Sequence, residues 1–263
     1  MKPQALIKIT ASLGAILSLG ATSGFAGVHD IVVPPPPPVK QDCDGCINPG
    51  LYVQGTLLYL KSYNSDIDEY DGEWNLGFRG KVGVENYSGL RFELSGFYHE
   101  TEFTGATGVD GEHEFYYIDA TIGDTIHCGE LCLTISGGIR YGGNKFDEVW
   151  PGTNGPMLTS SEFEGFGPVF AIEATRAFGE RFSFYASLRQ SILFGEDDYD
   201  DGTGVYSTDT LVGITEIGAG VQLNFGLGRA DAFLRAGVEG QYWWEDGADI
   251  GLFGGTVGAG ANF

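Results

Sequence analysis

The sequence predicts an all-β protein: an antiparallel up-and-down transmembrane β-barrel of about ten strands, with eight or twelve also possible. Apolar and polar residues alternate with period two from residue 50 onward. The alternating segments run for about 10 to 15 residues, which is longer than most soluble strands and long enough for a tilted membrane strand. Glycine contributes 43 of 263 residues, which argues against a mainly helical fold.

The first 26 residues have the pattern of a secretory signal peptide. Lys2 and Lys8 provide the positive start, residues 9–19 the apolar segment, and Gly24-Phe25-Ala26 a small-residue cleavage site. A membrane anchor would need about 20 uninterrupted apolar residues, which this segment lacks. We therefore expect export, with residues 1–26 removed.

Residues 27–49 are expected to form a periplasmic linker ahead of a barrel that spans residues 50–263. Five consecutive prolines, Pro34 to Pro38, favour a stiff extended spacer. In an exported protein the four cysteines favour disulfides, although their pairing stays open. A zinc site is the less favoured alternative, because the spacing of these cysteines is unusual for zinc. The disulfide candidates are Cys43, Cys46, Cys128 and Cys132.

The clearest strands are residues 74–85 and 90–99, joined by a tight turn. In the first, Trp74 and Phe78 share an apolar face opposite Arg79. A soluble sandwich would alternate similarly, but the segment lengths and the aromatic residues near strand ends favour the barrel. The other expected strands lie near residues 51–61, 114–123, 131–142, 163–176, 181–194, 211–225, 230–244 and 250–263.

The connections are expected to alternate between tight turns and long acidic loops. The net charge of −22 makes nucleic-acid binding unfavourable, since such binding needs basic residues that neutralise phosphates. Most carboxylates fall in the outer connections, where they favour a solvated surface. Divalent cations that bridge these loops to lipopolysaccharide are an alternative, whereas an EF-hand around Gly202 fails at its ligand positions. The tight turns are 86–89, 177–180 and 226–229, and the long loops are 62–73, 100–113, 143–162 and 195–210.

The inward face of the predicted barrel carries charges of both signs. Such a set could neutralise itself in a plug or line a narrow selective path, and the sequence does not choose between them. The predicted lumen-lining residues are Arg79, Lys81, Glu85, Arg91, Glu93, Arg140, Glu173, Arg189, Glu216, Arg235 and Glu239.

Two histidines near the outer rim make an enzyme a further alternative. His99 and His113 lie close in sequence to Glu100, Glu112 and Glu114, which could orient a general base. No serine nucleophile elbow, paired metal-binding histidines or phosphate loop accompanies them. We therefore expect no enzyme, cofactor or resident metal.

Several segments, taken in order, resemble the Legionella-type major outer-membrane protein family of pore-forming barrels. The terminal Phe263 resembles the signal that the barrel-assembly machinery reads in outer-membrane proteins. The matching segments are Gly50-Leu51-Tyr52-Val53, Leu58-Tyr59-Leu60-Lys61, Trp74 with Gly77-Phe78-Arg79, Gly137-Gly138-Ile139-Arg140-Tyr141, Phe166-Gly167-Pro168, Gln241-Tyr242-Trp243 and Gly251-Leu252-Phe253-Gly254-Gly255.

The resemblance implies a porin-like pore for passive diffusion of small solutes or ions across the bacterial outer membrane. The alternative is a closed-lumen structural or adhesive barrel that displays acidic extracellular loops. Either protein would contact outer-membrane lipid and lipopolysaccharide, with its linker in the periplasm.

Overall fold

The computed structural model describes residues 48–64, 71–104, 110–150, 157–245 and 249–263. The expected signal peptide, most of the expected linker, and Cys43 and Cys46 lie outside these residues. No helix in the described ranges is long and apolar enough to cross a membrane. The strands are β1 Gly50–Asn64, β2 Asp71–Gly72, β3 Trp74–Glu85, β4 Leu90–Thr104, β5 Asp110–Cys128, β6 Leu131–Trp150, β7 Met157–Ala177, β8 Phe182–Asp200, β9 Val205–Leu227, β10 Ala230–Trp244 and β11 Asp249–Asn262.

Ten long strands form a closed antiparallel barrel, and the two-residue β2 pairs with the end of β4. The sheet runs in the order β4, β3, β1, β11, β10, β9, β8, β7, β6, β5, and a ladder between β4 and β5 closes it. Closure removes the free strand edges that an open sheet would expose. The predicted fold class and the strand number of about ten are confirmed.

Tight turns gather at one end of the barrel, which we call the turn end. In the β3–β4 turn, the Asn86 side chain accepts hydrogen bonds from the backbone amides of Ser88 at 2.8 Å and Leu90 at 3.0 Å. Gly89 in this turn has φ +88°, a left-handed conformation that glycine adopts without strain. The opposite end, where residues 201–204 join β8 to β9, is the loop end.

The predicted long loops were largely wrong, because the strands continue far into them. β6 extends to Trp150 and β7 begins at Met157, so most of the expected 143–162 loop is a β-ribbon. β8 and β9 likewise consume most of residues 195–210. On the outer face of these extensions, carboxylates take the place of apolar residues. The alternation of apolar and polar residues that predicts a strand is therefore lost there.

The outer face of the barrel carries a broad exposed apolar surface. Leu76, Ile139 and Phe166 are between 67% and 70% exposed. Near the loop end, the rings of Tyr59 and Trp74 stack with centroids 5.2 Å apart. Apolar surface on this scale, bordered by aromatic residues, indicates contact with lipid.

Candidate functional site in the barrel lumen

The middle of the lumen contains a layer of paired charges, which we call the charged layer. Alternation along each strand directs these side chains inward, opposite the exposed apolar residues. Because a buried charge is costly unless it is paired and hydrogen-bonded, the layer depends on its internal geometry. Its members are Arg79, Lys81, Arg91, Glu93, Asp119, Arg140, Glu173, Arg189, Glu216, Arg235 and Glu239.

Arg140 on β6 is the centre of the charged layer and is fully buried. Its guanidinium donates two hydrogen bonds to Asp119, at 2.6 and 2.9 Å, and forms an ion pair with Glu216 at 2.7 Å. It also lies 3.5 Å from the centre of the Tyr117 ring, within cation–π range. One cation thus joins carboxylates from β5 and β9 across the lumen.

Arg79 extends the network to the opposite wall. It donates hydrogen bonds to Glu239 at 2.7 and 2.8 Å, to Glu216 at 2.8 Å and to the Tyr117 hydroxyl at 3.1 Å. That hydroxyl in turn donates to Glu216 at 2.6 Å. Strands β3, β5, β9 and β10 are therefore connected through side chains in the interior.

A second group of pairs lies nearer the turn end. Arg91 forms an ion pair with Glu93 at 2.7 Å, and the Tyr52 hydroxyl donates to the same carboxylate at 2.7 Å. Lys81 forms an ion pair with Glu173 and lies 3.6 Å from Glu93. Each of these cations therefore has a carboxylate partner within the lumen.

The structure places ten of the eleven predicted lumen-lining residues in the charged layer. The eleventh, Glu85, lies at the turn end, where it accepts a hydrogen bond from Thr125 at 2.7 Å. Sequence reasoning missed Asp119, which accepts hydrogen bonds from Arg140 and from Arg189, the latter at 2.7 Å. Asp119 and Tyr117 are two residues apart on β5, so both side chains lie on the inner face of the barrel. This spacing was the available signal in the sequence.

Towards the loop end, the lumen is filled by apolar side chains that we call the apolar layer. Eight of the ten long strands contribute to it. Phe97 stacks on Tyr117 with centroids 5.0 Å apart, and Phe115 packs against Trp243 at 5.2 Å. Its members are Leu58, Leu60, Phe97, Phe115, Tyr117, Phe163, Leu193, Val212, Ile214, Trp243, Ile250 and Leu252.

Little free space remains between these side chains. Two cavities, of about 50 and about 30 Å³, lie within the charged layer and share Arg79, Lys81 and Glu173 in their linings. Both cavities are far smaller than the pockets of about 300–1,000 Å³ that hold small-molecule ligands. A larger groove of about 880 Å³ opens on the outer face near Phe166 and Phe194, outside the lumen.

The two rim histidines lie inside the lumen, beside the apolar layer. His99 is 0% and His113 is 1% exposed, and their four ring nitrogens have no hydrogen-bond partner in the described structure. Glu100, Glu112 and Glu114 lie on the opposite, outer face of the same strands. The carboxylate-oriented base weighed from the sequence is therefore not assembled by these residues.

The outer face at the loop end carries rows of carboxylates, which we call the acidic collar. Glu164 lies directly opposite Glu196, which lies directly opposite Asp209. Like charges at opposed positions repel and destabilise a sheet. Within the described ranges, no three His, Cys, Asp or Glu side chains are placed to hold a metal ion. The collar comprises Glu100, Glu102, Glu112, Glu114, Asp147, Glu162, Glu164, Glu196, Asp198 and Asp209.

The remaining predicted residues lie towards the turn end. Cys132 is disulfide-bonded, whereas the side chain of Cys128 lies outside the described structure. Phe263 is 65% exposed, and its backbone amide donates a hydrogen bond to the Leu51 carbonyl at 2.8 Å. Its role in assembly stays a prediction.

Solved structures similar to this chain are outer-membrane barrels. The outer-membrane protease OmpT from Escherichia coli aligns with a TM-score of 0.52 at 9% identity, over 81% of this chain and 97% of that one, which shows the fold alone. The translocator domain of the autotransporter NalP from Neisseria meningitidis aligns with a TM-score of 0.45 at 14% identity, over 81% and 89%. Ail from Yersinia pestis aligns with a TM-score of 0.37 at 13% identity, over 82% and 99%.

No curated protein matches the sequence. Residues 46–248 match the family model described as Legionella pneumophila major outer membrane protein precursor. That match spans more than half of the chain and nearly all of the barrel, and it confirms the family resemblance inferred from the sequence. The chain therefore belongs to this family of bacterial outer-membrane β-barrels.

Proposed function

We propose that this protein is an outer-membrane barrel with a closed lumen. Its function depends on its surface and not on a pore through the barrel. The observation that carries the proposal is the apolar layer, in which Phe115, Leu193 and Ile214 are all 0% exposed. A diffusion pore for small solutes needs a continuous polar path, and this layer interrupts it. The closed alternative weighed from the sequence is therefore the one that the geometry supports best.

The energetics of the lumen favour the closed state. Fully burying one large apolar side chain stabilises a fold by about 1.5–3 kcal/mol, so hydrating several of them would cost many kcal/mol. Below this layer, the ion pairs of Arg140 and Arg79 hold the walls together. Barrels of eight strands have interiors that side chains just fill, and ten strands are only slightly wider.

The porin-like pore expected from the resemblance is the second candidate. It is favoured by the charged layer, because side chains of both signs are the lining that a narrow selective path would use. The two cavities beside Lys81 and Glu173 provide free space along this path. The pore would require the apolar layer to move aside.

The acidic collar is the surface that we propose the protein displays. Short turns face the periplasm in outer-membrane barrels, so the loop end and its collar would face outward. Divalent cations between these carboxylates and lipopolysaccharide phosphates would relieve the repulsion along the row of Glu164, Glu196 and Asp209. The orientation is tested by inserting an epitope tag after Gly202 or, as a matched control, after Gly228. Antibody should label intact cells through the first tag alone, and the reverse pattern would contradict the proposal.

A liposome-swelling assay at pH 7.5 tests whether the lumen is closed. The signal-free protein is refolded into liposomes, and folding is verified by its heat-modifiable gel mobility. Small sugars should enter these liposomes no faster than they enter empty ones, while a general porin assayed in parallel gives rapid swelling. Swelling by the folded barrel at the porin's rate would refute the proposal in favour of the second candidate.

A further inference from the structure

His99 and His113 form a buried pair on adjacent strands near the apolar layer. In the β4–β5 ladder, His99 lies opposite Phe115 and His113 lies opposite Thr101, so the two histidines occupy diagonal positions. Diagonal neighbours on one face of a sheet are within reach of each other's long side chains. The two imidazoles therefore share one region of the lumen.

The surroundings of the pair are apolar or uncharged. His113 stacks on Phe115 with centroids 4.1 Å apart and meets the edge of Phe146 at 5.1 Å. His99 packs against β3, where a Cβ added to Gly77 would lie 3.0 Å from Nδ1. Within the part of the chain that the structure describes, none of the four ring nitrogens has a hydrogen-bond partner.

Titratable groups on the neighbouring elements lie at other levels or on the other face. On β10 and β11, the neighbouring inward residues Gln241, Trp243, Ile250 and Leu252 are uncharged. Among the described residues, the charged and titratable surroundings include Arg79 on β3 and Arg140 on β6, in the charged layer; Tyr117 on β5, in the apolar layer; Glu148 on β6 and Asp197 on β8, inward near the loop end; Glu245 after β10; and Glu100, Glu112 and Glu114 on the outer face.

Protonation would change the pair from two neutral rings to two neighbouring cations. An unpaired charge in an apolar environment is strongly unfavourable, and two neighbouring like charges repel each other. The cost is relieved if water enters the layer or if the side chains move apart. Water entry here would connect the loop end with the polar charged layer, which already contains small cavities.

We propose that the His99–His113 pair is an acid-sensitive gate: the lumen is closed at neutral pH and conducts ions when both histidines are protonated. The proposal rests on the closed lumen proposed above and adds a conducting state to it. The charged layer would then form the polar part of the path, and its cations and carboxylates would select among the ions.

Single-channel recording in a planar bilayer tests the gate. The signal-free protein is recorded at pH 7.5, at pH 3 and again at pH 7.5. We expect silence at pH 7.5, at least a tenfold rise in the open fraction at pH 3, and closure on return. The variant with His99→Phe and His113→Phe fills the same apolar region with rings that cannot be protonated, so it should stay closed at both pH values. Heat-modifiable mobility verifies that it folds.

Two matched controls separate the pair from other acid-titrating groups. His127→Gln removes a histidine outside the pair, and Glu245→Gln removes a carboxyl near the loop end; both should keep the acid response. Silence of the wild type at both pH values would overturn the gate and leave the closed lumen standing. Conduction at pH 7.5 would overturn the closed lumen itself. Acid opening that survives the double replacement, or is lost with Glu245→Gln, would show that another group controls opening.

Discussion

Replacing Arg140 by methionine tests the charged layer most severely. Methionine keeps much of the side-chain length and removes the charge. The substitution eliminates two hydrogen bonds to Asp119, the ion pair to Glu216 and a hydrogen bond to Ser191 at 3.2 Å. The carboxylates of Asp119 and Glu216 remain buried. The loss of stability therefore measures the cost of leaving these two groups with fewer partners.

The expected magnitude follows from the partners that remain. Removing one member of a buried ion pair typically costs about 3–5 kcal/mol. Asp119 retains Arg189 at 2.7 Å, and Glu216 retains Arg79 at 2.8 Å. We therefore expect the lower end, about 3 kcal/mol, which lowers the folded-to-unfolded ratio by about two orders of magnitude.

Urea unfolding of the barrel in lipid vesicles, followed by tryptophan fluorescence, measures this loss. The matched control is Arg176→Met, because Arg176 has a side chain that is 69% exposed and lies 3.7 Å from Glu130. Exposed ion pairs contribute about 0–1 kcal/mol, so the control should unfold close to the wild type. A loss below about 1 kcal/mol for Arg140→Met would refute the view that the charged layer depends on this cation.

Two further predictions concern carboxylates at the loop end. Burial, and to a lesser extent the nearby charge of Asp197, raises the pKa of Glu245 from 4.5 to about 7. Between pH 4.5 and pH 7 the carboxyl group is therefore ionised in the unfolded chain but still protonated in the folded barrel. The contribution of Glu245 to stability falls as pH rises through this range. Glu245→Gln should stabilise the barrel more at pH 8 than at pH 5 in urea unfolding, and an equal effect at both pH values would contradict this. Glu196→Gln should raise the free energy of unfolding by about 0.2–1 kcal/mol, because it relieves repulsion from Glu164 and Asp209. The gain should shrink in high salt, and a gain independent of salt would count against the electrostatic explanation.

The strand number and the facing of each strand could be predicted because a closed membrane barrel imposes period two along its strands. Residues 74–85 illustrate this, since the predicted strand and β3 have the same bounds. Strand ends were less predictable. Beyond the lipid the outer face becomes polar, so a β-ribbon such as residues 157–162 has the composition of a loop.

The occluded lumen was harder to predict because it depends on which inward residues meet across the barrel. Phe97 already fell on the inner face in the sequence pattern, and it was the available signal for an apolar interior. Its contact with Tyr117 on β5 follows from the strand register, which composition and periodicity do not determine. Asp119 was missed for a similar reason. It is a single acid in an apolar segment, and its role depends on its hydrogen bond with Arg140 on the neighbouring strand.

The reactivity of a cysteine placed in the apolar layer tests the closed lumen most directly. Ile214 is 0% exposed within this layer, and Thr203 lies exposed in the β8–β9 connection. Ile214→Cys and Thr203→Cys are treated at pH 7.5 with a small, charged, membrane-impermeant thiol reagent, against the wild type as background. A closed lumen predicts rapid labelling at position 203 and none above background at position 214. Labelling of both thiols at similar rates in the folded barrel would contradict the closed lumen.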